Sequence, residues 1–288
     1  QQPSMTHTNP VYSFEFFPPK TADGIAKLAT TSATLAALKP GFFSVTFGAG
    51  GSTRDHTFET VNDLKHNPGI DTAPHLSCIS STRENIREAL TAYQDKGISH
   101  MVALRGDMPS GMVEAGEFRY ANELVSFIRR HTGDHFEIEV AAYPEVHPEA
   151  KSYEEDIAYL KQKIDAGANS ALTQYFYDAD AYSWFLESCQ LAGITAPIYP
   201  GIMPIINYQN LARFSARCGA SIPRWVAKRL ESYGDNQEEV VAFGIELVTR
   251  LCEKLLAAGA PGLHFYTMNQ AEPTLSICRN LGMPANAP

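Results

Sequence analysis

What the 288-residue chain lacks bounds it first. No apolar run approaches the ~18 residues of a membrane-crossing helix, which excludes a spanning segment of that kind. No basic run exceeds Arg129-Arg130 and the formal net charge is −9, so a nucleic-acid footprint is missing. The five cysteines, at 78, 189, 218, 252 and 278, include no C-x-x-C pair, and no secretory leader is recognisable. They are expected as reduced thiols in a cytoplasmic protein. Lysine is missing from the ends of the strand-like runs, which argues against a Schiff-base aldolase, and there is no G-x-S-x-G elbow. GAGGST at 48–53 fails as a dinucleotide fingerprint, because Thr53 stands where the third glycine belongs and the segment follows the second strand. Its backbone N–H groups could still meet a phosphate or flat ring, or it is simply a tight turn.

What is present is an alternation. Strand-like segments are expected at 11–17, 42–48, 71–78, 100–107, 137–145, 170–177, 196–203 and 262–268. Helix-like stretches lie near 22–38, 54–66, 82–96, 119–131, 152–167, 179–192, 207–217, 236–258 and 271–281. Ser81-Thr82, Ser152 and Asp178 read as helix starts. Eight strands alternating with helices predict an α/β fold, a (β/α)8 TIM barrel, with extra helices between strands 7 and 8, where SIPRWVAKRL is the surplus piece. An open doubly wound sheet is the competing architecture, but EFFPPKT after the first strand is no Gly-rich turn. The opening QQPS before Met5 reads as a cloning scar, so residues 1–10 are set aside as a disordered N-terminus and 11–288 are taken as a single catalytic barrel.

Polar residues close the apolar runs, and a barrel assembles its site from such strand ends. Glu15 lies among four aromatics, where burial should raise its pKa and suit it to general-acid work; the plain alternative is an acid meeting solvent or an arginine. Arg105-Gly106-Asp107 could hold a polar head group or form an internal ion pair. His75 and Cys78 point to opposite faces of a strand, so they make poor co-ligands, and no metal is expected. Polar contact to a ligand suits His75 and His147 better, with rim packing close behind. Gln174 among aromatics suits a flat heterocycle, or else is satisfied by a neighbouring strand end.

Taken in order, SFEFFPPKT, SVTFGAGGS, APHLSC, HMVALRGD, VAAYPEVHPEA, ALTQYFYD, PGIMPI and HFYTMN resemble the bacterial 5,10-methylenetetrahydrofolate reductases over roughly residues 11–285. The resemblance implies an FAD-containing barrel that reduces 5,10-methylenetetrahydrofolate to 5-methyltetrahydrofolate with NADH or NADPH, NADH being favoured, and so feeds methionine synthesis. It makes Glu15 the acid that protonates the bridging folate nitrogen, and puts Asp107 beside flavin and pterin. Gln174, Phe214 and Tyr266 would contact the folate. Asn210 and Gln270, which stand where the family commonly has Gln and Arg, are counted with them. The FAD would be lined by Thr46, Phe47, Ala49, His75, Leu104, Arg105, Gly106 and Asp107 from the first half of the barrel. Tyr120, Ala121, Tyr143, His147, Ala150, Asp156, Tyr159 and Lys163 would complete it, although Tyr159 and Gln162 replace polar or basic residues near the cofactor's tail. The resemblance also implies a homo-oligomer, and no S-adenosylmethionine-sensing domain after the barrel. A metal-assisted barrel hydrolase or lyase using His75, His147 and Asp107 is the alternative, and a non-catalytic folate or flavin carrier a third.

Overall fold

The computed structural model describes residues 9–47, 53–106, 116–146 and 150–284, with backbone only for 53–55. Asp107, Ala49 and His147 lie outside the described residues. Six strand–helix units lead the chain: β1 (Val11–Phe16) and α1 (Ala22–Ala36), β2 (Phe42–Val45) and α2 (Thr53–His66), β3 (Thr72–Ser77) and α3 (Arg83–Asp95). Then come β4 (His100–Leu104) and α4 (Ala121–Thr132), β5 (Glu137–Ala142) and α5 (Tyr153–Asp165), β6 (Ser170–Thr173) and α6 (Ala179–Leu191). The expected helix starts are built from side chains: the oxygens of Thr82, Ser152 and Asp178 accept from Asn85 N–H, Glu155 N–H and Asp180 N–H.

The seventh ring position, expected as one strand over 196–203, is two dipeptides, β7 (Ile198–Tyr199) and β8 (Gly201–Ile202). Pro200 causes the break, since it has no N–H to carry the ladder through. Its carbonyl still accepts from His264 N–H at 3.0 Å. The helices α7 (Tyr208–Cys218), α8 (Arg224–Ser232) and α9 (Gln237–Ala257) follow, then β9 (Gly262–Tyr266) and α10 (Thr274–Asn280). All pairings are parallel, in the order β7-β6-β5-β4-β3-β2-β1-β9-β8. Because β7 bonds β6 and β8 bonds β9, the ring closes across the proline as a (β/α)8 barrel. Among the described residues no helix is long and apolar enough to cross a membrane.

The alternation within β1 decides what faces where. Phe14 and Phe16 are fully buried in the layer between strands and helices, their rings 5.7 Å from Phe265 and 5.0 Å from Phe43. Truncating one such ring to alanine costs about 3–5 kcal/mol. Ser13 and Glu15 turn the other way, toward the axis, where Phe42, Ala73, Val102 and Leu172 form a second apolar cluster. Phe42 stacks there 4.4 Å from His100 and 5.9 Å from His264, so three strands meet inside the ring.

At the N-terminal end of the barrel, His100 Nδ1 is 3.0 Å from Asp71 Oδ2 and its Nε2 is 3.1 Å from Glu139 Oε1. Burial alone would push this imidazole down, but the two carboxylates outweigh it and hold it up at about 9. Ser170 Oγ donates to the other Glu139 oxygen. His100, Glu137 and Glu139 could together approach a metal, but both nitrogens of His100 are already committed to carboxylates. This triad is at the opposite mouth from the strand ends considered next.

Candidate active site

Strands stop earlier than expected, and for a reason that matters. β4 ends at Leu104, β5 at Ala142 and β6 at Thr173, so Arg105, Gly106, Tyr143 and Gln174 stand in the loops just past the ladder. Their side chains are thereby released from strict in–out alternation. Glu15, His75 and Tyr266 remain inside strands, on the axis-facing side. The end of β1 is clamped from β9 onward. Thr267 Oγ1 donates to Glu15 O at 2.7 Å, while Asn269 both accepts from Phe17 N–H and donates to Phe17 O at 2.9 Å.

Glu15 has two imidazoles against one oxygen. His75 Nε2 lies 3.1 Å and His264 Nε2 3.3 Å from Oε1, and Ser44 Oγ donates to it at 3.4 Å. The His75 contact is ionic in distance but misaligned as a hydrogen bond. His264 is fully buried, and its Nδ1 meets Ser13 Oγ at 2.7 Å, so Ser13, His264 and Glu15 form a chain inside the barrel. The expectation of a raised carboxyl pKa is overturned here. Burial does push Glu15 up, but the close approach of His75 and the hydrogen bond and charge of His264 outweigh it and hold it at about 2. The aromatic neighbours Phe14 and Phe16 face the other layer and do not decide the matter.

Above this cluster opens a cavity of about 370 Å³ lined by Glu15, His75, Leu104, Ala141, Tyr143, Gln174, Phe214 and Tyr266, among others. Tyr266 is fixed by donating to Thr173 O at 2.5 Å, and burial holds its phenol well above the ordinary value. Gln174 Oε1 accepts from Tyr175 N–H at 3.0 Å, which leaves its amino group to offer a ligand. Arg217 and Cys218 of α7 also line this cavity, though neither stood out in the sequence.

A second cavity of about 590 Å³ runs outward between β4–α4 and β5–α5. Leu104, Arg105, Gly106, Tyr120, Ala121, Tyr143, Ala150, Asp156, Tyr159 and Lys163 all line it, with Ala103, Ala141 and Ala142 keeping it narrow. The small side chains leave room for a flat ring. Gly106 has φ +85°, and a Cβ there would meet Ser77 Oγ at 2.0 Å, so any other residue would be strained and would force Ser77 to move. Ser77 Oγ in turn donates to Arg105 O at 2.9 Å. Lys163 reaches Ala141 O, and burial lowers its ammonium to about 8 against the opposing pull of Asp156. A buried cation beside backbone and alanine surface could hold an anionic group of a ligand. The two cavities share Leu104, Ala141 and Tyr143.

The remaining expected residues lie elsewhere. Asn210 is exposed on α7 and accepts from Arg213, and Gln270 is exposed, its N–H closing a turn on Thr267 O. Neither lines the axial cavity. Thr46 and Phe47 follow β2, half-buried, where Thr57 Oγ1 binds Thr46 O at 2.9 Å. Cys78 is buried away from His75, its Sγ 3.8 Å from Arg105 O and its pKa pushed up to about 12 by burial. The five cysteines are free thiols.

A family model for methylenetetrahydrofolate reductase matches residues 2–282. The chain belongs to the methylenetetrahydrofolate reductase family. It is 44% identical over 286 residues to the probable methylenetetrahydrofolate reductase (NADH) of Oryza sativa subsp. japonica, covering 95% of this chain and 48% of the relative. The chain thus spans about half the length of such plant relatives. It is 42% identical to the 5,10-methylenetetrahydrofolate reductase of Pectobacterium carotovorum subsp. carotovorum, covering 94% of this chain and 90% of that one. In fold it is similar, at TM-score 0.65 and 16% identity, to a Clostridium thermocellum protein described as binding two copies of 5-methyl-5,6,7,8-tetrahydrofolic acid, with 95% of this chain and 93% of that chain covered.

Proposed function

We propose that this chain reduces 5,10-methylenetetrahydrofolate to 5-methyltetrahydrofolate with a nicotinamide nucleotide, through FAD held in the groove between β4–α4 and β5–α5. The observation that carries the reading is that Leu104, Ala141 and Tyr143 line both that groove and the cavity above Glu15, so the two lie against each other. The chemistry supplied by bound FAD is hydride relay between nicotinamide and folate, in two alternating half-reactions. The names of the plant relatives support NADH as the donor.

The chain's own residues would position, exclude water and move a proton. Gln174 and Tyr266 would orient the pterin, and Phe214 would cover the cavity from α7. Asp107 would stand at the flavin–pterin junction, one residue past Gly106. Lys163 and Arg105 would meet the cofactor's phosphates. Glu15 would pass a proton to the bridging folate nitrogen. With its carboxyl held at about 2 in the free chain, Glu15 would act by passing a proton on rather than by holding one at rest. A cytoplasmic location belongs to the same reading and rests on the pattern of unpaired cysteines; a homo-oligomeric state rests on the resemblance. The test is optical: the purified protein should be yellow and bleach under anaerobic NADH. A colourless protein that takes up no FAD would overturn the reading.

A further inference from the structure

The axial cavity has a charge inventory as well as a shape. Glu15 and His75 stand at its floor, and most of the wall is apolar or uncharged. Among the described residues that line it, Arg217 is the single lysine or arginine. It sits exposed in the last turn of α7, three residues after Phe214 and one before Cys218, so the three share one side of the helix. All three line the cavity. The Arg217 guanidinium has no hydrogen bond or ion pair among the described residues. Arg213, one turn earlier, differs on both counts. Its guanidinium donates to Asn210 Oδ1 and lies 6.0 Å from the Phe214 ring, and it does not line the cavity. A cation in the last turn complements the helix dipole, which by itself accounts for a basic residue there. The dipole does not require that residue to line a cavity.

We propose that Arg217 receives a carboxylate of the folate's glutamyl tail and so sets this chain's preference for substrates that carry one. The inference rests on the folate reading above and adds which residue selects the tail end of the substrate. A tetrahydrofolate joins an uncharged fused ring and an aryl amide to a glutamate with two carboxylates. The reacting ring must come down to Glu15, whose ionised carboxyl at the floor repels the tail carboxylates. The tail therefore lies toward the rim, where a planar guanidinium can take a carboxylate through two parallel N–H donors. The assignment belongs to this chain: Asn210 and Gln270, which the resemblance offers for the folate, are not among the residues lining the cavity.

The test is steady-state turnover of the flavin-loaded full chain with two substrates, 5,10-methylenetetrahydrofolate and its counterpart without the glutamate, 5,10-methylenetetrahydropteroate. Arg217 is exposed on a helix, where alanine is a good helix former, so Arg217→Ala should leave the fold intact. In that variant KM for the folate should rise roughly five- to tenfold with kcat little changed, while KM for the pteroate stays as in wild type. Arg217→Lys should recover part of the difference, as a point charge without the fork. A rise of KM for both substrates alike, a fall in kcat alone, or no change for the folate would overturn the assignment while leaving the folate reading in place. Wild type that turns over neither substrate would overturn the folate reading, and the assignment with it.

Discussion

His264 Nε2 lies 3.3 Å from Glu15 Oε1, although the two residues are 249 positions apart in the chain. They meet because β9 pairs with β1 and so closes the ring, placing His264 beside Ser13 and Tyr266 beside Glu15. Replacing His264 with phenylalanine would keep the ring volume near Phe42 and remove one of the two imidazoles that lower Glu15. Burial should then win, and the carboxyl should titrate well above its present value of about 2. Infrared titration of the carboxylate band checks this; an unmoved band would show that His75 alone sets the proton affinity.

Stability should fall at alkaline pH for a reason at the other mouth of the barrel. His100 is raised from 6.5 to about 9, so its contribution is fully present below 6.5 and is lost as pH rises through about 9. The loss is of order 3 kcal/mol. Glu15 works in the opposite sense: lowered from 4.5 to about 2, it stabilises the fold above 4.5 and ceases to do so as pH falls toward 2. Urea midpoints on both sides of each window measure this. In His100→Gln the alkaline fall should flatten and the acid fall remain.

Gly106→Ala should damage the groove more than the barrel. The substitution places a Cβ against Ser77 Oγ at positive φ, at a cost of at least ~1 kcal/mol confined to the end of β4. The expected outcome is a protein that melts only slightly lower but retains much less flavin, read from the ratio of visible to ultraviolet absorbance. Full flavin retention would show that the turn relaxes without harm.

Much of this was legible in the chain because it is locally encoded. Strand and helix alternate with readable caps, and Ser13 and Glu15 share a face by simple parity. The break at Pro200 follows from one missing N–H. His264 escaped notice because the run LHFYTMN is marked at its end by Tyr266 and Asn269, and only ring closure brings residue 264 against β1. The proton affinity of Glu15 was misjudged for the same reason. Its immediate neighbours Phe14 and Phe16 face away from it, and the groups that decide, His75 and His264, come from β3 and β9. Asn210, exposed on α7, and Gln270, in a turn after β9, are not among the residues lining the axial cavity.

The most direct test of the account separates hydride from proton. In anaerobic stopped-flow of Glu15→Gln, NADH should bleach the flavin about as fast as in wild type. Reoxidation by 5,10-methylenetetrahydrofolate should slow by ~100-fold or more, because the amide cannot pass the proton on. Reoxidation at the wild-type rate would contradict the role of Glu15, and with it the claim that the imidazole-paired carboxyl and the groove act on one substrate.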